Sequence, residues 1–163
     1  MVAIRPCAPD ELQAIARVIN DAAQAYRGKV PARFLCEPYM SPEELAVEIS
    51  SVTFYGYEEQ GNLVGVMGIE PLADVTLLRH AYVLTSQQRR RIGSALLRHI
   101  ESLTLTPWLL LGTWRGSWAV DFYRAHGFEL MPEKDDLLTR YWPRVSADQA
   151  ANSVVLGKAL KRA

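Results

Sequence analysis

The order of its periodic segments predicts a mixed α/β fold for this chain, and three observations carry the prediction. Apolar residues recur at helical spacing near the amino terminus, the period turns extended in the middle of the chain, and extended and helical segments then alternate. Hydrophobic residues make up 49% of 163 residues, enough for a sizeable core. No internal repeat or low-complexity linker interrupts the pattern, so a single domain over residues 1–163 is expected.

Residues 2–5 form a short strand candidate. Pro9-Asp10-Glu11 then opens a helix carrying Leu12, Ile15, Ala16, Val18 and Ile19, expected to fade near Gly28. Residues 27–40, with Pro31 and Pro38, read as an irregular loop, and loops of that length usually serve a function. Ser41-Pro42-Glu43-Glu44 combines an N-cap, a first-turn proline and early acids, predicting a helix to about Ser51. Residues 53–58 and 63–69 flank Gln60-Gly61-Asn62 and predict a hairpin. Residues 75–84 form the next strand, which runs into three arginines and a helix. Residues 107–112 are a buried strand, 118–126 a helix ended by Gly127, and 128–131 extended again. Beyond Asp135, residues 137–142 look helical, and 154–156 are placed to complete a hairpin with 128–131.

Eighteen basic residues balance eighteen acidic ones, which removes the global signature of a nucleic-acid or anionic-membrane binder. Cys7 and Cys36 lie outside any CxxC pattern, and His80, His99 and His126 are scattered, so neither a disulfide scaffold nor a metal site is expected. The amino terminus lacks an apolar leader, and no stretch approaches the roughly 18 apolar residues of a membrane span, so a cytoplasmic location without membrane or nucleic-acid partners is expected.

Against that neutral background the densest cationic run, Arg89-Arg90-Arg91, stands where a helix begins. The first turn of a helix leaves backbone N–H groups without partners and carries partial positive charge, so a strand turning tightly into a helix forms an anion cradle. Gly93 permits close approach, and the arginines add charge suited to a pyrophosphate or a phosphorylated nucleotide.

His80-Ala81-Tyr82-Val83, followed by Gln88-Arg89-Arg90-Arg91-Ile92-Gly93-Ser94, resembles the acetyl-coenzyme A motif of the GNAT superfamily of N-acetyltransferases. That pattern is roughly Q/R-x-x-G-x-G/A. Downstream, Ala119-Val120-Asp121-Phe122-Tyr123 through Gly127-Phe128 resembles the family's second signature. The resemblance implies a GNAT-like sheet, mixed and mostly antiparallel, of about six or seven twisted strands flanked by about four helices, with strands four and five splayed. It implies acetyl-CoA as cosubstrate, held by main-chain groups of Tyr82, Val83 and Leu84, by the loop Gln88, Arg89, Arg90, Arg91, Ile92, Gly93 and Ser94, and by Ala119 and Phe122. The family's first motif glycine falls on Arg91, which is expected to keep an ordinary negative φ and aim its guanidinium along the phosphates. An asparagine that often precedes the second signature is replaced at about Gly116.

The same resemblance implies that Tyr123 supplies a proton to the departing thiolate. His80, at a position where such proteins often carry Glu or His, is a base candidate, and Glu70 at the end of the preceding strand is its competitor. Tyr26, Arg27, Lys29, Arg33, Tyr39 and Trp114 are candidate acceptor-binding residues, basic and aromatic groups suited to a small amine that carries a carboxylate. The leading expectation is therefore transfer of acetyl to a primary amine of a small, amino-acid-like molecule by direct attack in a ternary complex. Acetylation of a protein or peptide, and a non-catalytic coenzyme A-binding module, stand as alternatives. The carboxyl-terminal segment is a candidate for closing the acceptor site or for a homodimer contact.

Overall fold

The computed structural model describes residues 1–160. Seven strands, β1 (Val2–Pro6), β2 (Thr53–Glu59), β3 (Asn62–Pro71), β4 (Val75–Val83), β5 (Trp108–Trp114), β6 (Glu129–Leu130) and β7 (Ser153–Ala159), form one sheet in the order β1-β2-β3-β4-β5-β7-β6. Every neighbouring pair is antiparallel except β4 and β5. The helices are α1 (Leu12–Ala22), α2 (Pro42–Glu48), α3 (Ile92–Leu103), α4 (Trp118–Ala125), α5 (Lys134–Tyr141) and α6 (Ala147–Ala151).

Local chemistry accounts for the element ends. The apolar stripe of α1 buries Ile15, Val18 and Ile19. The α-helix ends at Ala22, earlier than the sequence suggests, and a 3₁₀ turn (Ala23–Tyr26) carries the chain on toward Gly28. Ser41 Oγ accepts from the Glu44 amide at 3.1 Å while Glu44 returns a carboxylate to the Ser41 amide at 3.0 Å, the reciprocal cap expected of Ser-Pro-Glu-Glu. Gln60 and Gly61 both have positive φ and join β2 to β3 in a two-residue hairpin.

Alternation along β3 sends Val66 to one face and Met67 and Ile69 to the other. The first face packs Val66 and Phe54 under α1 and α2, and the second packs Met67, Leu78 and Leu111 under α3 and α4. The helix number exceeds the expected four because residues 133–151 fold into two short helices. Of these, α6 is capped by Ser146, whose hydroxyl accepts from the Gln149 amide at 3.1 Å. The carboxyl-terminal strand pairs with β6 as expected, but it is longer than foreseen and lies between β5 and β6, pairing with β5 along its whole length.

Candidate active site

The parallel ladder between β4 and β5 has three pairs, Val75 with Trp108, Thr76 with Leu109 and Leu77 with Leu110. Beyond them the strands separate, and a cavity of about 590 Å³ opens between Leu78 to Val83 on one side and Leu111 to Thr113 on the other. A bulge in β4 accompanies the separation: Val66 faces Tyr82 and Gly68 faces Arg79, so Met67 alone stands opposite both His80 and Ala81. His80 takes φ 54° there. Gly68 makes room for the bulge, since a Cβ at that position would lie 2.9 Å from the Arg79 carbonyl oxygen and 2.6 Å from Val52 Cγ1. The Leu84 amide donates to Val64 O at 2.9 Å, across to β3. By strand alternation the Val83 main chain points the opposite way, into the opening, where Gln88 Nε2 meets its carbonyl at 3.4 Å. Tyr82 and Val83 thus line the cavity, whereas Leu84 is tied into the sheet.

The arginine run closes one end of the cavity. Arg89 and Arg91 both have φ 63°, and Arg91 is the N-cap of α3 in the left-handed region. The expectation of an ordinary φ at Arg91 is therefore overturned: the turn requires the backbone conformation that glycine supplies in the motif, and a long side chain occupies it at a cost of roughly 1–3 kcal/mol per residue. The first helical bond of α3 runs from the Ala95 amide to Arg91 O, which leaves the amides of Ile92, Gly93 and Ser94 without helical partners at the cavity. Gln88, Arg89 and Arg91 line it too, but Arg90 turns away and binds Glu59 at 2.8 Å through each of two nitrogens, with Gln87 as a further partner. Arg90 thus anchors the loop to β2 and stands outside the cavity.

From α4, Ala119, Phe122 and Tyr123 complete that wall. Burial pushes the Tyr123 phenol well above its ordinary range, and among the described residues its hydroxyl makes no hydrogen bond. Sequence reasoning missed a link between α4 and α3. His126 Nδ1 lies 2.8 Å from Phe122 O; a carbonyl only accepts, so Nδ1 carries the proton and Nε2 is free to accept from Ser94 Oγ at 2.9 Å.

On the other face of the sheet, His80 also lines the cavity, with its ring stacked on Phe54 and Nε2 2.8 Å from Glu48 Oε2. Glu70 lies outside, bound to Arg79 at 2.9 Å. Tyr26 borders the cavity together with Lys29, and burial raises its phenol to about 12. Tyr39 packs behind it, 5.7 Å between ring centroids, and Tyr82 meets both rings edge-on at 6.4 Å. Trp114 is buried beneath this layer, stacked on Phe34 at 4.9 Å, with its indole N–H donating to the Tyr39 hydroxyl at 3.3 Å. Arg27 and Arg33 are not brought to the cavity. Arg27 pairs with Glu37 on the surface, and Arg33 grips Asp148 of α6 with bonds of 2.6 and 2.8 Å.

Residues 50–130 match the family model of the acetyltransferase (GNAT) domain. The chain belongs to the GNAT acetyltransferase superfamily. It is accordingly an acetyl-CoA-dependent acetyltransferase, with the GNAT arrangement of a mostly antiparallel sheet broken at one parallel pair. Among solved structures, the PaiA N-acetyltransferase of Thermoplasma acidophilum in complex with coenzyme A is 19% identical, with 98% of this chain and 99% of that one covered and a TM-score of 0.76. The ribosomal-protein alanine N-acetyltransferase of Escherichia coli is 16% identical over 100% of this chain and 96% of that one, TM-score 0.73. N-acetylglutamate synthase of Neisseria gonorrhoeae, complexed with coenzyme A and N-acetyl-glutamate, is 23% identical over 99% of this chain and 36% of that one, TM-score 0.70. No curated protein matches the chain in sequence.

The acetyltransferase cavity fits an extended, anionic cosubstrate on its own evidence. The open ladder leaves strand-edge groups facing inward, and the loop at its mouth presents three helix-end amides beside Arg89 and Arg91. Two polar groups of this acetyltransferase, Glu48 and His126, were not among the site residues expected from sequence, whereas Lys29 was expected and does line the cavity. Each acts through a partner 32 residues away, a separation that no local pattern spans.

Proposed function

We propose that this acetyltransferase moves acetyl from acetyl-CoA to the primary amine of a small, amino-acid-like molecule within a ternary complex. The observation that carries the choice of acceptor is the cover over the acceptor side. The loop before α2 is stacked through Phe34 on Trp114 and bound through Arg33 to Asp148 of α6, and a loop fastened at both points supports a compact acceptor over a peptide. Lys29, at the cavity edge and without a salt bridge among the described residues, suits a carboxylate on such an acceptor. The structural neighbours include enzymes named for an amino-acid product and for a protein alanine, so the fold does not choose between them, and the cover is what supports the small acceptor.

In this reading the amides of Ile92, Gly93 and Ser94, with Arg89 and Arg91, hold the pyrophosphate. The Val83 amide supports the thioester carbonyl, and stabilising the charge that develops on that oxygen is the largest service such a site performs. His80 takes the proton as the amine nitrogen forms its bond to the carbonyl carbon. Tyr123, kept as a phenol by burial, donates to the sulfur as the carbon–sulfur bond breaks. Solvent then returns both residues to their starting states.

Calorimetric titration with acetyl-CoA, alongside Gly93→Asp, tests the cosubstrate half. Binding to the native protein that weakens at least tenfold in the variant is expected, because a carboxylate would stand among the phosphate-holding amides. A thiol-release assay with a mixture of the proteinogenic amino acids, set against amino-terminal peptides, tests the acceptor half. Turnover of peptides alone, or of no amine at all, would overturn it.

A further inference from the structure

His80 does not stand alone at the bulge. Its Nε2 is 2.8 Å from Glu48 Oε2, the last residue of α2. Its ring lies near-parallel on Phe54 of β2, 20° between planes and 5.9 Å between centroids. Arg79, the neighbouring residue on β4, reaches Glu48 at 3.3 Å and Glu70 of β3 at 2.9 Å, so one guanidinium holds both carboxylates. The bond from His80 is the largest influence holding the Glu48 carboxyl below its usual range, and the charges of Arg79 and of Arg144, which follows α5, act in the same direction. An ionised carboxylate only accepts, so the ring proton belongs on Nε2. Nδ1, which makes no hydrogen bond among the described residues, keeps the lone pair.

We infer that Glu48 is a positioning residue that fixes His80 as the Nε2–H tautomer and aims Nδ1 at the acceptor amine, making the base of this enzyme a Glu48–His80 pair carried by α2 and the β4 bulge. The inference rests on the reading of His80 as base. In the transfer step the amine lone pair forms the C–N bond, the C–S electron pair leaves with sulfur, and the nitrogen proton passes to Nδ1. Glu48 then faces an imidazolium across an existing hydrogen bond, so the charge is compensated without rearrangement. Glu70, already spent on Arg79 and outside the cavity, has no comparable path to the amine.

Long-range ¹H–¹⁵N spectra of the His80 ring test the pair without any acceptor. The native protein is expected to show the Nε2–H tautomer. Glu48→Gln, whose amide can donate to Nε2, is expected to move the proton to Nδ1, lowering kcat with the amino-acid mixture at least tenfold while leaving the KM for acetyl-CoA unchanged. Glu48→Asp, which keeps the carboxylate, is expected to retain the tautomer and recover part of kcat. A native Nδ1–H tautomer, or Glu48→Gln with native tautomer and native kcat, overturns the inference. His80→Gln separates the two levels. Native turnover there overturns the base reading, whereas a large loss there beside an unaffected Glu48→Gln overturns the positioning role alone.

Discussion

The α-carbon of Gly68 lies against the carbonyl of Arg79, so close that any Cβ at residue 68 would stand 2.9 Å from that oxygen. This contact ties the active-site bulge to a single glycine on the neighbouring strand. Backbone cannot swing aside as a side chain does, and Val52 blocks the same position at 2.6 Å. Gly68→Ala is therefore expected to destabilise the fold by about 1–3 kcal/mol, the usual cost of overpacking. At roughly 2–4 °C per kcal/mol for a chain of this size, a thermal melt resolves the loss. An unchanged melting temperature would mean that the bulge does not depend on this contact.

Arg91 presents the opposite case, a residue retained against local preference. Its left-handed φ makes Arg91→Gly a relief of strain, and a gain of up to about 1 kcal/mol is expected after the entropy that glycine adds to the unfolded chain. The same change removes one of the two arginines at the cavity mouth, so acetyl-CoA should bind more weakly and with a shallower dependence on salt. Calorimetry at two ionic strengths checks both halves. A variant more stable and equally tight would leave the guanidinium without a role.

The Arg33–Asp148 pair is exposed, which predicts a separation between stability and function. Ion pairs in solvent contribute little, so Arg33→Ala and Asp148→Ala should leave the melting temperature nearly unchanged. Each frees the loop before α2 from α6, and the KM for the acceptor is expected to rise several-fold while acetyl-CoA affinity stays constant. Acceptor KM values equal to the native one would detach this cover from substrate binding.

Tyr123→Phe keeps the ring that packs on Phe122 and Phe128 and removes only the hydroxyl. Folding and acetyl-CoA affinity should persist, while kcat falls by roughly 10²-fold, the scale of a lost proton donor. Steady-state thiol release measures it. A kcat within twofold of native would assign the thiolate proton to water.

Legibility in the sequence followed the distance over which each feature is determined. The cap of α2, the Gln60-Gly61 turn and the loop at the start of α3 are set by neighbours in the chain, and composition with spacing exposed them. The left-handed φ of Arg91 was not legible from local rules, which disfavour it; tertiary packing overrules the local cost. Position in the sheet was hidden for a related reason. Residues 154–156 read as a strand pairing with 128–131, but nothing local says that the strand runs from Ser153 to Ala159 or lies between β5 and β6. The Glu48 to His80 contact joins a helix end to a strand bulge and exists only once both have folded. The α6 cap, by contrast, was present as Ser146 three residues before Gln149 and was open to recognition.

The strand β1 is tied to the start of α1 by a charge cluster whose pH dependence has a definite sign. Arg5 binds Glu11 through two nitrogens at 2.7 and 2.8 Å and also binds Glu58, while the Ala8 amide donates to Glu11 at 2.6 Å. The Arg5 bond first, and the Ala8 amide next, hold the Glu11 carboxyl down from an ordinary 4.5 to about 2. A carboxyl lowered on folding contributes stability that is complete above pH 4.5 and disappears as the pH falls toward 2. Because the pair is open to solvent on one side, the contribution is no more than about 1 kcal/mol. Glu11→Gln lacks it at every pH. The stability difference between native protein and variant, measured by urea unfolding, should therefore be greatest near neutrality and close as the solution is acidified through that window. A difference that stays constant from neutral pH to pH 3 would show that the Glu11 carboxyl titrates alike in the folded and unfolded chains, and that β1 is held by its ladder to β2 alone.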